Sequence, residues 1–288
     1  MTHQDHGDVP YAGRRPRLGT ASARSSLLTV LGEFVHPRGE GVWTSTLVAA
    51  LAALDIEEKS ARQALTRTAA EGLLESGRHG RRVLWELSPA GTALLEEGTR
   101  HIYGFMGDRL AWDGRWLVVS VAIPESQRRL RHRLRTRLTW LGLGTPTPGL
   151  WVSPDATKAP LVREVVADLG LQDRGFAWAG PVADTGDERL LLAQAWDLDD
   201  VERRYLDFLE EFACREARDD SEAFVAQVQM IEAWRRFPFL DPDLPGELLD
   251  HDWPGPRAAA AFHDRHRHWE QGAQHAWDTF RASGGPRP

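Results

Sequence analysis

Residues 116–123 read WLVVSVAI, a run in which Trp116, Val118, Ser120 and Ala122 alternate with Leu117, Val119, Val121 and Ile123. Successive side chains of a strand point to opposite faces, and here both faces are almost wholly apolar. Such a strand has to be buried, which rules out a sheet with one wet side. The stretch after it supplies a cover. On a helix, Leu130, Leu134, Leu138 and Leu141 fall at i, i+4, i+8 and i+11, a continuous stripe suited to packing on a sheet. GLGTPTPG ends that helix, GLWVSP makes a second strand, LVREVVADLGL a second helix and GFAWAGPV a third strand. LLLAQAWDL offers a further strand. The strand–helix–strand–helix–strand order predicts a ferredoxin-like α+β layer over residues 112–195.

The residues before this layer follow a different period. SSLLTVLGEFV places Leu27, Leu28, Leu31, Phe34 and Val35 on one helical face, and HPRGEG breaks it. WTSTLVAALAALDI predicts a second helix with Thr44 as its N-cap. In the third, EKSARQALTRTAAEGLL, 100° steps gather Ala61, Ala64, Leu65, Thr68 and Gly72 on one stripe. Lys59, Arg62, Gln63, Thr66 and Arg67 take the opposite side, which reads as free of carboxylates. Phosphates repel carboxylates, whereas Arg, Lys and Gln can hydrogen-bond base edges in a major groove. LLESGRHGRRVLWEL then reads as strand, turn and strand: ESGRHGRR is the turn, and Val83, Trp85 and Leu87 alternate inward. Arg78, His79, Arg81 and Arg82 crowd its tip. Three short helices and a basic-tipped hairpin over residues 22–104 predict a winged helix-turn-helix. Lys59, Ser60, Arg62, Gln63, Thr66 and Arg67 are expected to face the major groove. Arg78, His79, Arg81 and Arg82 are expected to hold the flanking backbone.

Residues 196–285 predict a helical domain. Trp196, Val201, Tyr205, Phe208, Leu209 and Phe212 form an apolar face that Asp197 or Asp199 can cap, and SEAFVAQVQMIEAWRRF forms a second helix. Prolines 238, 242, 245, 254 and 256 stiffen the connection that follows. Residues 1–21, which include RRPR, lack an apolar segment of the signal-peptide kind and read as a disordered leader. The whole is an α+β chain: winged helix-turn-helix, ferredoxin-like middle domain, helical C-terminal domain.

The formal net charge of −7 does not argue against a nucleic-acid partner, because the potential that matters is local. Eleven acids against four arginines between residues 197 and 222 bias the total and make the C-terminal third a poor DNA surface. The single cysteine, Cys214, excludes an intrachain disulfide and a cysteine zinc cluster, as expected in a reducing cytoplasm. No apolar run approaches the roughly 20 residues of a membrane span. The 12 tryptophans imply large buried anchors or an apolar pocket. RRLRHRLRTRL, residues 128–138, carries six arginines yet falls on the middle-domain helix. Its outward charge suits long-range steering of DNA, the phosphates of a ligand, or a solvated face that balances the acidic block.

Four stretches in order resemble the PaaX-type repressors of phenylacetate catabolism: WDGRWLVVSVAIPE, RLTWLGLGTPTPGLWVSP, AWDLDDVERRYLDFLEEF and RRFPFLDPDLPGELLDHDWPG. The resemblance runs along nearly the whole chain after residue 20. It implies a homodimer on double-stranded operator DNA, no cofactor, and release by an aryl-acyl-CoA effector such as phenylacetyl-CoA. The effector is expected between the middle and C-terminal domains, its aryl end against Trp or Phe side chains. The middle domain of that family also resembles small CRISPR-associated nucleases, which carry a metal-binding Asp toward the end of the first strand. Ala122 stands there, so a metal-dependent nuclease is the alternative and not the expectation.

Other chemistry is sparse. His263 and His266 could share a helix face as metal ligands do, but with His268 and His275 they read as surface helix histidines without an H-E-x-x-H signature. No Walker A, G-x-G-x-x-G or G-x-S-x-G motif occurs. Asp199 and Asp200 suit a helix start, where they complement its dipole.

Overall fold

The computed structural model describes residues 22–107, 111–183 and 187–284; the leader expected over 1–21 lies outside them. Ser22 starts helix α1 (Ala23–Val30), its side chain accepting from the Ser25 amide, and a π-helical turn continues the helix over Leu31–Val35. Strand β1 (Val42–Trp43), helices α2 (Thr44–Ala52) and α3 (Glu58–Ala70), and the hairpin β2 (Leu74–His79) and β3 (Arg82–Leu87) follow. The three strands form an antiparallel sheet in the order β1-β3-β2. Thr44 is not the N-cap of α2. It is the first helical residue, and its hydroxyl donates to the Val83 carbonyl at 3.2 Å and accepts from the Trp85 indole at 2.8 Å. The side chain expected to start the helix therefore ties it to the hairpin.

Pairing runs to the end of the hairpin, His79 opposite Arg82, so the turn is only Gly80–Arg81 and not the whole of ESGRHGRR. Gly80 takes φ +63°, which a two-residue hairpin loop requires. A fourth helix, α4 (Pro89–Gly104), leaves the sheet, with Pro89 at its first position and Ser88 accepting from the Gly91 amide. The expected hairpin ending did not include it. Gly91 sits so close that a Cβ would lie 2.1 Å from the Leu73 carbonyl oxygen.

The middle layer consists of β4 (Trp116–Val121), α5 (Arg128–Trp140), β5 (Gly144–Thr147), β6 (Leu150–Ser153), α6 (Ala159–Asp168) and β7 (Gly175–Gly180). Its antiparallel sheet has the order β5-β6-β4-β7, which is the βαββαβ arrangement. β4 is interior, and both its faces are covered. Leu117, Val119 and Val121 pack with Leu134 and Leu138 of α5 and Val162 and Val165 of α6. Trp116 packs on the other face with Val152, Leu192 and Leu244. Two expectations fail here. GLGTPTPG does more than end α5, because Gly144–Thr147 form β5. LLLAQAWDL is no strand: Glu188–Ala195 form helix α7, capped by Asp187, which closes the second face of the sheet through Leu192.

The remainder is helical: α8 (Leu198–Phe212), α9 (Asp220–Trp234), the single turn α10 (Phe237–Leu240) and α11 (Gly255–Gly284). Asp197 and Asp219 cap α8 and α9. At 30 residues, α11 is about 45 Å long. Val201, Tyr205, Phe208 and Phe212 share a core with Trp234, Phe237 and Phe262. Trp196 leaves that expected face and packs on Trp116 of the middle sheet, ring centroids 6.4 Å apart. Cores do not follow the order of the chain. Phe224 and Val228 of α9 and Ala273, Ala276 and Trp277 of α11 are buried in one cluster with Leu27, Phe34, Leu47, Leu51 and Leu65 of the N-terminal block. The last turn of α11 ends against α2, where Ser45 Oγ donates to the Gly284 carbonyl at 2.8 Å.

Candidate nucleic-acid interface

The outward face of α3 follows from what its inward face must bury. Ala61, Ala64, Leu65 and Thr68 are in the core, and Gly72 has left the helix for the turn into β2, exposed at φ +76°. Lys59, Arg62, Gln63, Thr66 and Arg67 are exposed on the opposite side, and Ser60 is half-buried at its margin. The face is not free of carboxylates. Glu58, in the first turn, accepts from Arg62 Nε at 2.8 Å, an i,i+4 pair. One carboxylate therefore neutralises one of the three cations, and Thr66 donates back to the Arg62 carbonyl at 3.0 Å. Among the described residues, no side-chain hydrogen bond engages Lys59, Gln63 or Arg67, so they are free to meet a ligand. Both members of the Arg62–Glu58 pair are more than half exposed, so it exchanges readily with a phosphate.

The hairpin carries its cations past the end of the core. Arg78, His79, Arg81 and Arg82 are all exposed. The ladder distributes them between two faces. His79 and Arg82 pair across the strands and share a face with Trp43, whose ring meets His79 edge-on at 5.6 Å. Arg78 pairs with Val83 on the face that also holds Leu74, Val42 and Trp85, the side of the sheet packed against the helices. Arg78 is thus the tip residue placed on the same side as α3. Glu75 and Glu86 pair directly nearer the base, so the cationic tip stands on an acidic stem. Like charges directly opposite are unfavourable in isolation, and here they keep the hairpin from being basic along its length.

A second polar cluster lies behind this surface, and sequence reasoning missed it. Glu33, on the π-helical turn, accepts from Tyr103 of α4, from Gln227 Nε2 of α9 at 3.2 Å and from His266 Nε2 of α11 at 3.0 Å. Burial first, and then the Glu33 charge, push the Tyr103 phenol far above its usual range, so it stays protonated and donates. His266 is therefore no surface histidine but one member of a junction between the N-terminal block, α4 and two C-terminal helices. Its one sequence signal was its wrong neighbourhood, a histidine on the stripe of Phe262 and Trp269. Burial, and then His266, lower the basicity of His263. His268 and His275 face Glu216 at 3.2 Å and Asp220 at 3.7 Å. Among the described residues, no three His, Cys, Asp or Glu side chains are grouped to hold a metal. Ala122 is exposed just beyond β4, its amide donating to the Arg174 carbonyl at 3.0 Å.

Three family models match the chain in order: PaaX-like protein over residues 22–91, PaaX protein central Cas2-like domain over 109–191, and PaaX-like protein C-terminal domain over 196–279. The transcriptional repressor PaaX of Escherichia coli (strain K12) is 30% identical over 246 residues, covering 81% of this chain and 76% of that protein. The chain belongs to the PaaX family. Among solved structures, the uncharacterized protein Rv0674 from Mycobacterium tuberculosis is similar at TM-score 0.64 and 27% identity, covering 90% of this chain and 98% of that one. All ten residues of the candidate interface lie within the PaaX-like N-terminal match. The arginine-rich α5 and Ala122 lie within the central PaaX match. No helix among the described residues is long and apolar enough to cross a membrane.

Proposed function

We propose that the chain is a cytoplasmic, sequence-specific transcriptional repressor of an aromatic-acid (phenylacetate-type) catabolic operon. It acts as a homodimer on a roughly palindromic operator and is released by an aryl-acyl-CoA such as phenylacetyl-CoA. The observation that carries the reading is the pairing of an outward α3 face, with Lys59, Gln63 and Arg67 unengaged, and a hairpin tip of Arg78, His79, Arg81 and Arg82. Both sit on the block that matches the PaaX-like N-terminal model. Membership of a family that includes a transcriptional repressor supports a binding protein rather than an enzyme. In this reading α3 enters the major groove, Gln63 and the arginines meeting base edges and phosphates, while the hairpin tip holds the flanking backbone. Two-fold symmetry of the dimer sets the symmetry of the operator. The effector releases DNA because it binds the DNA-incompetent state more tightly, so DNA weakens effector binding by the same factor.

The test is a gel-shift titration with promoter fragments from beside the protein's own gene. An Arg62→Ala/Arg67→Ala double variant that stays folded is expected to lose nearly all promoter binding, and unchanged binding would remove α3 from the site. Running the same mixtures with magnesium or manganese decides against the nuclease alternative if labelled DNA stays intact; cleavage would sink the repressor reading.

A further inference from the structure

The arginines of α5 are not all spoken for. Arg137 holds Asp168 at 2.7 Å, and Arg131 reaches Glu125 at 3.5 Å and the Ile123 carbonyl at 3.3 Å. Arg128, Arg129, Arg133 and Arg135 are exposed and have no carboxylate partner among the described residues. Three basic residues and no acid occupy the first turn of the helix, the end where the helix dipole already disfavours cations. On a helix, Arg129, Arg133 and Trp140 fall at i, i+4 and i+11, one outward stripe on which Arg133 lies about 10 Å along the axis from Trp140.

That stripe ends on rings that the fold leaves in solvent. Trp140 is 62% exposed and stacks on Phe239, itself 52% exposed, with centroids 4.7 Å apart. Phe239 stacks in turn on His101, at 6.0 Å and 14° between planes. The three rings come from three places: the end of α5 in the middle layer, α10 in the connection between C-terminal helices, and α4, the helix that leaves the winged block. A stack serving only as glue would bury its apolar area, yet more than half of both main partners is wet. Aromatic rings open on one side and flanked by unpaired guanidinium groups match a ligand with a flat base and several phosphates. Arg is the side chain suited to both, gripping phosphate with two parallel N–H groups.

We propose that the Trp140–Phe239–His101 stack and the Arg129–Arg133 stripe of α5 form the binding site for the nucleotide portion of a coenzyme A thioester, its base stacked on Trp140 and its phosphates along the arginines. The proposal rests on the effector reading above and gives it a place. A ligand seated here touches the middle layer, the α10 connection and α4 together, so it bears on the helix that positions the winged block.

The test uses the full chain with coenzyme A and phenylacetyl-CoA as probes, binding followed by calorimetry and operator affinity by fluorescence anisotropy. W140A is expected to weaken both probes about tenfold or more, the scale of losing one base–aromatic stack, and W140F to restore most of the affinity. R129Q/R133Q is expected to weaken both probes and flatten the salt dependence of their binding. Operator affinity without ligand is expected to stay at the wild-type value in all three variants. If the variants bind phenylacetyl-CoA as the wild type does, the site is wrong and the effector reading stands. If R129Q/R133Q instead loses operator affinity and salt slope while coenzyme A binding is unchanged, the stripe serves DNA phosphates and the proposal falls. If the wild type binds neither probe and is released by a free aromatic acid, the effector reading itself fails.

Discussion

Replacing Trp277 by alanine tests whether the N-terminal block has a core of its own. Trp277 is 1% exposed on α11, far along the chain from that block, yet it stacks on Phe34 with centroids 5.5 Å apart and 26° between planes. Phe34 also meets Phe224 of α9 at 5.0 Å, so rings from three helices close a single cluster. Truncating a core Trp to Ala costs about 3–5 kcal/mol. The Trp277 indole N–H has no hydrogen-bond partner among the described residues, so the variant also sheds a buried unpaired donor, which is worth about 1–3 kcal/mol. The net loss then sits at the lower end, about 3 kcal/mol. At about 2–4 °C per kcal/mol for a chain of this size, the midpoint of thermal unfolding falls by roughly 6–12 °C. Hydrogen exchange followed by mass spectrometry carries the discriminating readout. Amides of α1 and α3 are expected to lose protection together with those of α9 and α11, because all four helices share the cavity. Faster exchange in α9 and α11 with α1 and α3 unchanged would refute the shared core and show a block that folds alone.

Removing the hub of the buried polar junction by Glu33→Ala leaves Tyr103, Gln227 and His266 without their common acceptor, and chemical denaturation is expected to show a loss of about 3–5 kcal/mol. Alanine at Arg78, Arg81 and Arg82 together is expected to lower the magnitude of the salt slope of operator binding by about 3, with the preferred sequence unchanged; Gln63→Ala, by contrast, is expected to relax discrimination at one base position. Gly91→Ala forces a methyl group toward the Leu73 carbonyl, and a melting experiment is expected to show destabilisation of about 1–3 kcal/mol.

Much of the architecture was legible because the relevant patterns are local. The Leu130, Leu134 and Leu138 stripe, the two-sided strand at 116–121 and the inward Ala61–Thr68 stripe each declare one period and one buried face. Errors arose where local preference and tertiary role part company. LLLAQAWDL is a short apolar run whose period fits a buried strand as well as a helix; its Leu, Ala and Gln favour the helix, and Leu192 of that helix covers Trp116. GTPT reads as a loop because Pro146 interrupts it and Pro148 follows it, and it survives as an edge strand, where one missing donor costs little. Thr44 looks like a cap, and a hydrogen bond to the hairpin claims its hydroxyl instead. At the candidate site the error was one carboxylate: Glu58 stands four residues before Arg62, a helical spacing legible in the sequence, and the structure shows the pair formed.

The amino-acid sequence by itself determined which residues face inward on α1, α3, β4 and α5, the α+β class, the basic hairpin tip and the PaaX resemblance, since periodicity and motif order need no partner to be read. Tertiary structure alone decided that α9 and α11 complete the core of the N-terminal block, that Glu33 gathers Tyr103, Gln227 and His266, and that Phe239 stacks on both Trp140 and His101. Those contacts join residues between 39 and 243 positions apart. Nothing in the local pattern of either partner encodes the other; only the packing of whole helices and sheets against each other brings them within reach.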